Sequence, residues 1–229
     1  MPETRKRQRK RRPKTASGRR RAEKRRLDKL LEVERSCWAE GIEWVAGVDE
    51  VGRGPLAGPV FAAAVILPAG VTIPGIDDSK RLDARRREAL FEQIRTHAHS
   101  VGVGAASTRE IDRLNILRAS HLAMQRAIAR LGVCPGRIIV DGLPVPELGE
   151  THVAIVDADA KVHCVACASV IAKVLRDRLM QRLHRRYPGY GWAANCGYAT
   201  AEHRDAIISL GFTPHHRRSF ELKTQLEIF

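Results

Sequence analysis

The sequence contains no apolar run of the roughly 18 to 20 residues that a membrane-spanning helix requires. Its first residues are charged where a secretion signal needs an apolar stretch. These two absences predict a soluble, cytoplasmic protein. The five cysteines are odd in number and irregularly spaced, which favours free thiols in a reducing compartment over a disulfide framework.

Two common chemical motifs are also missing. The chain has no phosphate-binding loop of the GxxxxGK type, so nucleoside-triphosphate hydrolysis loses its main support. Cys164 and Cys167 form a CxxC pair, but there is no second such pair to complete a zinc site. We therefore interpret this pair as packing residues of a helix rather than as a metal or redox centre.

Positive charge is concentrated at the start of the chain. Residues 1–35 hold 16 of the 40 Lys and Arg and 5 of the 26 Asp and Glu, a net charge of +11, while the remainder carries +3. This composition predicts a disordered basic tail over residues 1–26 that binds a polyanion such as nucleic acid. A merely solubilising extension is the alternative.

The rest of the chain alternates between short apolar runs and longer amphipathic stretches, and 229 residues suffice for one domain with a sizeable core. This order predicts an α/β layered domain with helices on both faces of a sheet. The expected strands lie near residues 45–50, 59–67, 100–106, 137–140 and 153–156. The expected helices lie near residues 27–41, 80–94, 108–116, 117–131, 162–186 and 201–210.

The stretch VAGVDEVGRGPLAGPV, residues 45–60, organises the chain. A short apolar run ends in two adjacent acids, Asp49 and Glu50, followed by glycines and prolines. Neighbouring strand side chains point to opposite faces, so both acids serve one site only if the backbone leaves regular pleating there, as glycines permit. Adjacent carboxylates repel each other, and a divalent cation would relieve that repulsion.

Two further strands also stop at an acid, Asp141 and Asp159. Loops at one edge of an α/β sheet form its crevice, so these acids and the pair at residues 49–50 can converge. An all-oxygen ligand set favours Mg²⁺ or Mn²⁺, and two such ions suit phosphoryl transfer. The structural alternatives are that Asp141 only forms a turn with Gly142 and that Asp159 only caps the next helix.

Seven motifs in one order make the chain resemble the ribonuclease HII family over roughly residues 27–220. The motifs are GVDEVGRGPLAGPV, DDSKRL, REIDRLNI, IIVDG, ASVIAKVLRD, YGW with GYAT, and HHRRSF. The resemblance implies a ribonuclease H-like fold: a mixed five-stranded sheet flanked by helices, with a small C-terminal helical extension at about residues 187–220. Residues 221–229 would form a C-terminal tail.

The resemblance also implies a function. Such an enzyme cleaves the RNA strand of RNA/DNA hybrids and incises 5′ of ribonucleotides embedded in duplex DNA, the first step of ribonucleotide excision repair, leaving 3′-hydroxyl and 5′-phosphate ends. The four family carboxylates fall on Asp49, Glu50, Asp141 and Asp159, which would hold two Mn²⁺ or Mg²⁺ ions. Family members act as monomers, which we adopt as the expectation here.

Substrate-binding residues follow from the same resemblance. Gly52, Arg53 and Gly54 match the element that contacts the ribose 2′-hydroxyl and nearby phosphates. Tyr198 matches a tyrosine that stacks near the junction between ribonucleotide and DNA, although from the residues alone a ring at the edge of the core is the simpler interpretation.

Three basic residues are candidates for phosphate contact. They are Lys80, Arg217 and Arg218, because the body of the protein has little other net charge with which to hold a duplex. Ordinary solvated surface charge is the alternative for each of them.

The sequence departs from the family pattern in two places. Asp157 and Ala158 stand where bacterial relatives usually have Lys and Gly, and the added negative charge could change metal preference. Asn195 and Cys196 replace His and Lys, which removes one cationic contact. No expected metal ligand is lost, so we expect activity to survive.

Two other functions compete with this interpretation. A nucleic-acid-binding protein without chemistry would use the basic tail and the GRG element, with the acids serving as caps and turns. A ribonuclease with the same fold could instead require long RNA/DNA hybrids.

Overall fold

The N-terminal basic segment is helical in the part that the structure describes. A computed structural model describes residues 15–220; helix α1 spans Ala16–Leu30 and α2 spans Glu32–Ala39. Thr15 caps α1 by accepting a hydrogen bond from the backbone N–H of Gly18. The predicted disordered tail reached residue 26, so the structure differs over residues 16–26: the cap and a run of good helix formers start a helix there. The remaining tail predictions, for residues 1–14 and 221–229, lie outside the described residues.

The sheet has five strands in a mixed arrangement, as predicted. The strands are β1 (Val45–Val51), β2 (Val60–Ile66), β3 (Ser100–Ala106), β4 (Arg137–Asp141) and β5 (His152–Ile155). Their spatial order is β3-β2-β1-β4-β5. The pairs β1–β2 and β2–β3 are antiparallel, whereas β1–β4 and β4–β5 are parallel. Strand β1 is therefore central, and its carboxyl end lies beside that of β4.

Helices cover both faces of the sheet. The remaining helices are α3 (Ala84–His97), α4 (Thr108–Leu114), α5 (Ile116–Ile128), α6 (His163–Arg186), α7 (Trp192–Asn195) and α8 (Ala201–Leu210). One core lies between the sheet and α1, α3 and α6, and a second lies between the sheet and α5. Gly47 allows the close approach of α6, because a Cβ atom there would lie 2.3 Å from the backbone carbon of Cys164. The small residues of α6 thus pack directly on β1.

The C-terminal helical part packs beneath the loop between β1 and β2. Leu56 and Ala57 of this loop share a small core with Met180, Trp192 and Ile207. The backbone N–H of Leu56 also donates a hydrogen bond to the carbonyl of Gly197 at 2.8 Å. The loop that follows the paired acids therefore packs against α6, α7 and α8.

The CxxC pair lies inside α6. Cys164 and Cys167 are free and buried, and burial raises the pKa of both thiols well above the usual value, as expected for packing residues.

Across residues 15–220, no helix has the length and apolar character needed to cross a membrane.

Candidate active site

Asp49 and Asp141 lie side by side at the carboxyl ends of two parallel strands. Val48 of β1 is opposite Val140 of β4, so the next residue on each strand is the acid. Both valines face the core that contains α5. Alternation along the strands therefore turns the two acids to the other face, towards α6.

Asp159 reaches the same face from a 3₁₀ turn, Ala158–Ala160, directly before α6. The backbone N–H of Ala158 donates a hydrogen bond to Asp141 Oδ1 at 2.6 Å, which ties this turn to the end of β4. Asp159 does not cap α6, because the N-cap residue is Val162 and the backbone N–H of Cys164 in the first turn donates to Glu34 at 2.8 Å. The alternative role that the sequence allowed for Asp159 is thereby excluded.

Glu50 is placed differently from the expectation. The ladder between β1 and β2 continues through Glu50 and Val51, opposite Ala62 and Phe61, so the pleating is regular and Glu50 projects to the face opposite Asp49. The expected break in pleating comes only after Val51. However, β4 ends at Asp141, level with Asp49, so Glu50 extends beyond the end of β4.

The four carboxylates act on one another electrostatically. Burial, followed by the charge of Glu50, raises the pKa of Asp49 well above its usual value, and Asp141 and Asp159 raise it further. Burial also raises the pKa of Glu50 and of Asp159, with Asp141 adding to both. This mutual repulsion shows that the four acids share one region of negative potential.

Polar groups around the acids offset part of this repulsion. The hydroxyl of Ser169, on α6, favours the charged form of Asp49 and so opposes the rise in its pKa. Ser79 Oγ lies 2.9 Å from Ser169 Oγ. Lys80 Nζ lies 3.9 Å from Asp159 Oδ2. Neither serine was predicted from the sequence, because a small hydroxyl residue in a helix carries no pattern of its own.

The acids have the chemistry of a hard-cation site but are not arranged as one. Within residues 15–220, no three His, Cys, Asp or Glu side chains are placed to hold one metal ion. Each acid is instead turned to a donor in the protein: Asp49 accepts from its neighbour's backbone N–H at 2.7 Å, and Glu50 accepts from Arg53 at 3.2 Å. Buried, mutually repelling oxygen ligands nevertheless fit Mg²⁺ or Mn²⁺. Shared coordination of an ion therefore requires these side chains to rotate away from their present donors.

The loop Gly52–Pro59 is held by two buried arginines, Arg176 and Arg217. Arg176, on α6, donates hydrogen bonds to the carbonyls of Pro59 and Ala57, both at 3.1 Å, and to Cys196 at 3.0 Å. It was missed in the sequence although it lies in the motif ASVIAKVLRD, because the motif does not show that this arginine is buried against the loop. Gly52 has φ +92°, a conformation that favours glycine.

Arg217 corrects one of the sequence predictions. Its guanidinium donates to the carbonyls of Arg53 at 2.8 Å, of Gly58 at 2.8 Å and 3.0 Å, and of Gly52. The side chain is 1% exposed, and burial together with Arg176 lowers its pKa to about 9. A group so enclosed cannot contact phosphate, so Arg217 supports the loop instead.

Among the other predicted substrate residues, Gly52 is buried, whereas the rest are exposed: Arg53, Gly54, Lys80, Tyr198 and Arg218. Tyr198 is 44% exposed, and a Cβ atom on Gly54 would lie 3.8 Å from its ring, so this ring borders the GRG element rather than the core. Arg53 and Lys80 have exposed side chains, each beside one of the acids. Arg218 is exposed, with its backbone N–H donating to Asp112.

Comparison with known proteins yields one family. The family described as Ribonuclease HII matches residues 46–223. The chain is 56% identical over 189 residues to Ribonuclease HII of Paracoccus denitrificans, an alignment that covers 82% of this chain and 90% of that protein.

Solved structures agree on the fold. A crystal structure of ribonuclease H2 from Pyrococcus horikoshii aligns with TM-score 0.66 and 30% identity, over 78% of this chain and 94% of that one. The structure of Bst-RNase HIII in complex with Mn²⁺ aligns with TM-score 0.65 and 19% identity, over 77% and 67%. The second similarity concerns the fold alone.

Proposed function

The chain belongs to the ribonuclease HII family, endoribonucleases that act on RNA/DNA hybrids, and we propose that it also incises duplex DNA 5′ of a single embedded ribonucleotide. The products would carry 3′-hydroxyl and 5′-phosphate ends. The observation that supports this proposal is the position of the GRG element, which directly follows Asp49 and Glu50 and borders the exposed ring of Tyr198. A cutting site and a ribose-recognition element therefore adjoin each other.

Asp49, Glu50, Asp141 and Asp159 are the residues that would hold two divalent ions. When bound, such ions supply a nucleophilic water and stabilise the leaving oxygen of an in-line phosphoryl displacement. The chain itself orients two of these acids: the backbone N–H of Glu50 donates a hydrogen bond to Asp49, and that of Ala158 donates one to Asp141.

Recognition of the ribonucleotide would come from the loop. Its carbonyls at Gly52, Arg53 and Gly58 are bonded to Arg217, which leaves the backbone N–H groups of the GRG element as donors for a ribose 2′-hydroxyl or a phosphate. The 2′-hydroxyl is the feature that distinguishes a ribonucleotide from DNA at a single position. Tyr198 would stack on the adjoining sugar or base, while Lys80 and Arg218 would contact phosphates.

The test is cleavage-site mapping on three end-labelled duplexes of one sequence. One duplex is all DNA, one has a single ribonucleotide, and one is a full RNA/DNA hybrid. We expect a single cut 5′ of the ribonucleotide with Mn²⁺ or Mg²⁺, no cut with chelator, and no cut in DNA. Cleavage of the hybrid alone would contradict the proposal and indicate a ribonuclease that requires long hybrids.

A second comparison separates enzyme from binding protein. Asp49→Ala should abolish cleavage while duplex binding persists, because this acid contributes no positive charge or recognition contact. The opposite result would be that the native chain cleaves no faster than background with either ion and that Asp49→Ala changes nothing. This result would favour a binding protein without chemistry.

A further inference from the structure

Helix α1 is part of the folded domain. Leu27 and Leu30 are buried in the core with Ile73 and Ile76. One turn earlier in the helix, Glu23 Oε1 accepts a hydrogen bond from the backbone N–H of Gly75 at 2.9 Å. The second half of α1, from Glu23 to Leu30, is thus attached to the body of the domain. Its orientation relative to the catalytic acids is therefore fixed.

The outer side of α1 carries uncompensated positive charge. The two acids of this helix are already paired, Glu23 with Arg26 and Asp28 with Arg35, each at 2.8 Å. Five other cationic side chains are exposed and form no ion pair within the part of the chain that the structure describes. They are Arg20, Arg21, Lys24, Arg25 and Lys29. Residues 21, 25 and 29 follow a spacing of four, so they form one stripe about 12 Å long.

This stripe leads towards the catalytic acids. Lys29 and Arg26 line a groove whose other wall includes Arg81 and Lys161. Two acids also line it, Glu32 and Asp77, and Asp77 pairs with Arg81 at 3.5 Å. Arg81 directly follows Lys80, and Lys161 lies two residues after Asp159. Since Lys80 Nζ lies 3.9 Å from Asp159 Oδ2, the groove begins next to the site where the strand would be cut.

We propose that this α1 basic surface, the five exposed cations with Arg81 and Lys161, is a fixed binding site for the DNA duplex that flanks the cleavage site on one side. The inference rests on the proposed function, because it takes the substrate to be a duplex. A stripe of regularly spaced arginines and lysines suits a regular row of phosphates. It makes no demand on base sequence.

A fixed surface and a flexible basic tail make different predictions. A flexible tail can contact DNA on either side of the cut, so it increases affinity for any long duplex. A docked helix lies on one side of the acids, so it increases affinity only when the duplex extends in that direction. The direction of the flank therefore distinguishes the two.

The experiment measures binding of the full chain, with Ca²⁺ in place of an activating ion, to duplexes that contain one ribonucleotide. Three duplexes have a long flank on the 5′ side, a long flank on the 3′ side, or flanks of about half a helical turn on both sides. The test variant is Arg21→Gln/Arg25→Gln. The matched control is Arg113→Gln/Arg118→Gln. It removes two exposed arginines of α4 and α5, on the opposite face of the sheet, whose side chains form no ion pair or hydrogen bond within residues 15–220.

We expect the test variant to lose affinity for only one of the two long-flank duplexes. On that duplex, the slope of log affinity against log salt should fall by about 2, roughly one for each lost phosphate contact. The control should bind all three duplexes as the native chain does. Thermal unfolding of both variants checks that they are folded.

Three results would overturn the proposal. Equal losses on both long-flank duplexes would indicate a flexible tether, and equal losses in test and control variants would indicate non-specific charge. If the test variant lost no affinity for any duplex, the surface would not bind DNA, and another anionic partner such as an acidic protein would be indicated. None of these results affects cleavage by the native chain, so the proposed function and this inference fail independently.

Discussion

The backbone of Gly52 lies against the side chain of Arg176: a Cβ atom at position 52 would lie 2.1 Å from Arg176 Nε. The same arginine is fully buried and holds the loop through the carbonyls of Ala57 and Pro59. Gly52 is therefore required both by its positive φ and by the space that Arg176 occupies. The loop at residues 52–59 therefore packs closely against α6 at this contact.

Gly52→Ala should displace Arg176 and move the loop that follows the catalytic acids. We expect cleavage of a single-ribonucleotide duplex to fall about 100-fold, the scale of an ångström-sized misplacement, together with a lower Tm. Gly70→Ala is the matched control, because Gly70 has φ +81° and nothing within 4 Å of the added atom. It should cost about 1 kcal/mol from strain alone and leave cleavage intact. Equal effects of the two variants would show that only backbone strain matters at Gly52.

Arg217→Lys should destabilise the protein although it conserves charge. A lysine cannot reproduce the forked donation to the carbonyls of Gly52, Arg53 and Gly58. We expect a loss of about 2–4 kcal/mol in the free energy of unfolding, measured by urea denaturation. Arg218→Lys is the control and should leave stability unchanged, because its side chain is exposed. If Arg217→Lys were as stable as the native chain, the assigned role in loop support would be wrong.

Asp49→Asn should stabilise the protein in the presence of chelator while abolishing cleavage. Burial and the neighbouring acids raise the pKa of Asp49 in the folded state, so ionisation costs stability at every pH above that raised value and costs nothing well below the unfolded pKa. Removing the charge should increase stability at neutral pH by on the order of 1 kcal/mol.

Adding Mn²⁺ should make the native chain more stable than Asp49→Asn. The ion would bind the four native acids only in the folded state, and this binding raises the Tm of the native protein. Asp157→Asn, at a neighbouring exposed acid with φ +56°, is the control and should change stability little, since Asn tolerates that conformation. A lower Tm for Asp49→Asn in chelator would contradict the account of charge repulsion.

Glu110→Gln should reduce stability in a pH-dependent way. Glu110 forms a capping box with Ser107 and an ion pair with Arg126 at 2.7 Å, and these donors lower its pKa to about 2. A lowered pKa means that the stabilisation is complete above the unfolded value of about 4.5 and is lost as the pH falls towards 2. We expect a deficit of about 1 kcal/mol at neutral pH, by thermal unfolding. A deficit that did not narrow below pH 4 would exclude ionisation as its cause.

Several features of the molecule could be predicted from local sequence. The strand ending in Asp49 and Glu50, the strand ending in Asp141 and the long helix after Asp159 appear where apolar period and breakers predicted them. The mixed sheet followed from the family resemblance. The two strands and the helix could be predicted because they depend on local sequence. The apolar period and the conformations of glycine and proline are properties of a few neighbouring residues.

The chain alone therefore determined that the paired acids and Asp141 lie near the ends of two strands, which loop follows the pair and where the positive charge is concentrated. Only the tertiary structure decided that Glu50 faces away from Asp49, that Arg217 is enclosed by carbonyls, and that basic residues 16–26 belong to a docked helix. Each of these depends on contacts between segments far apart in sequence, such as Arg217 with Gly52 and Glu23 with Gly75. Spacing along the chain carries no information about such contacts, since the energy that decides them is burial and hydrogen bonding between elements that meet only on folding.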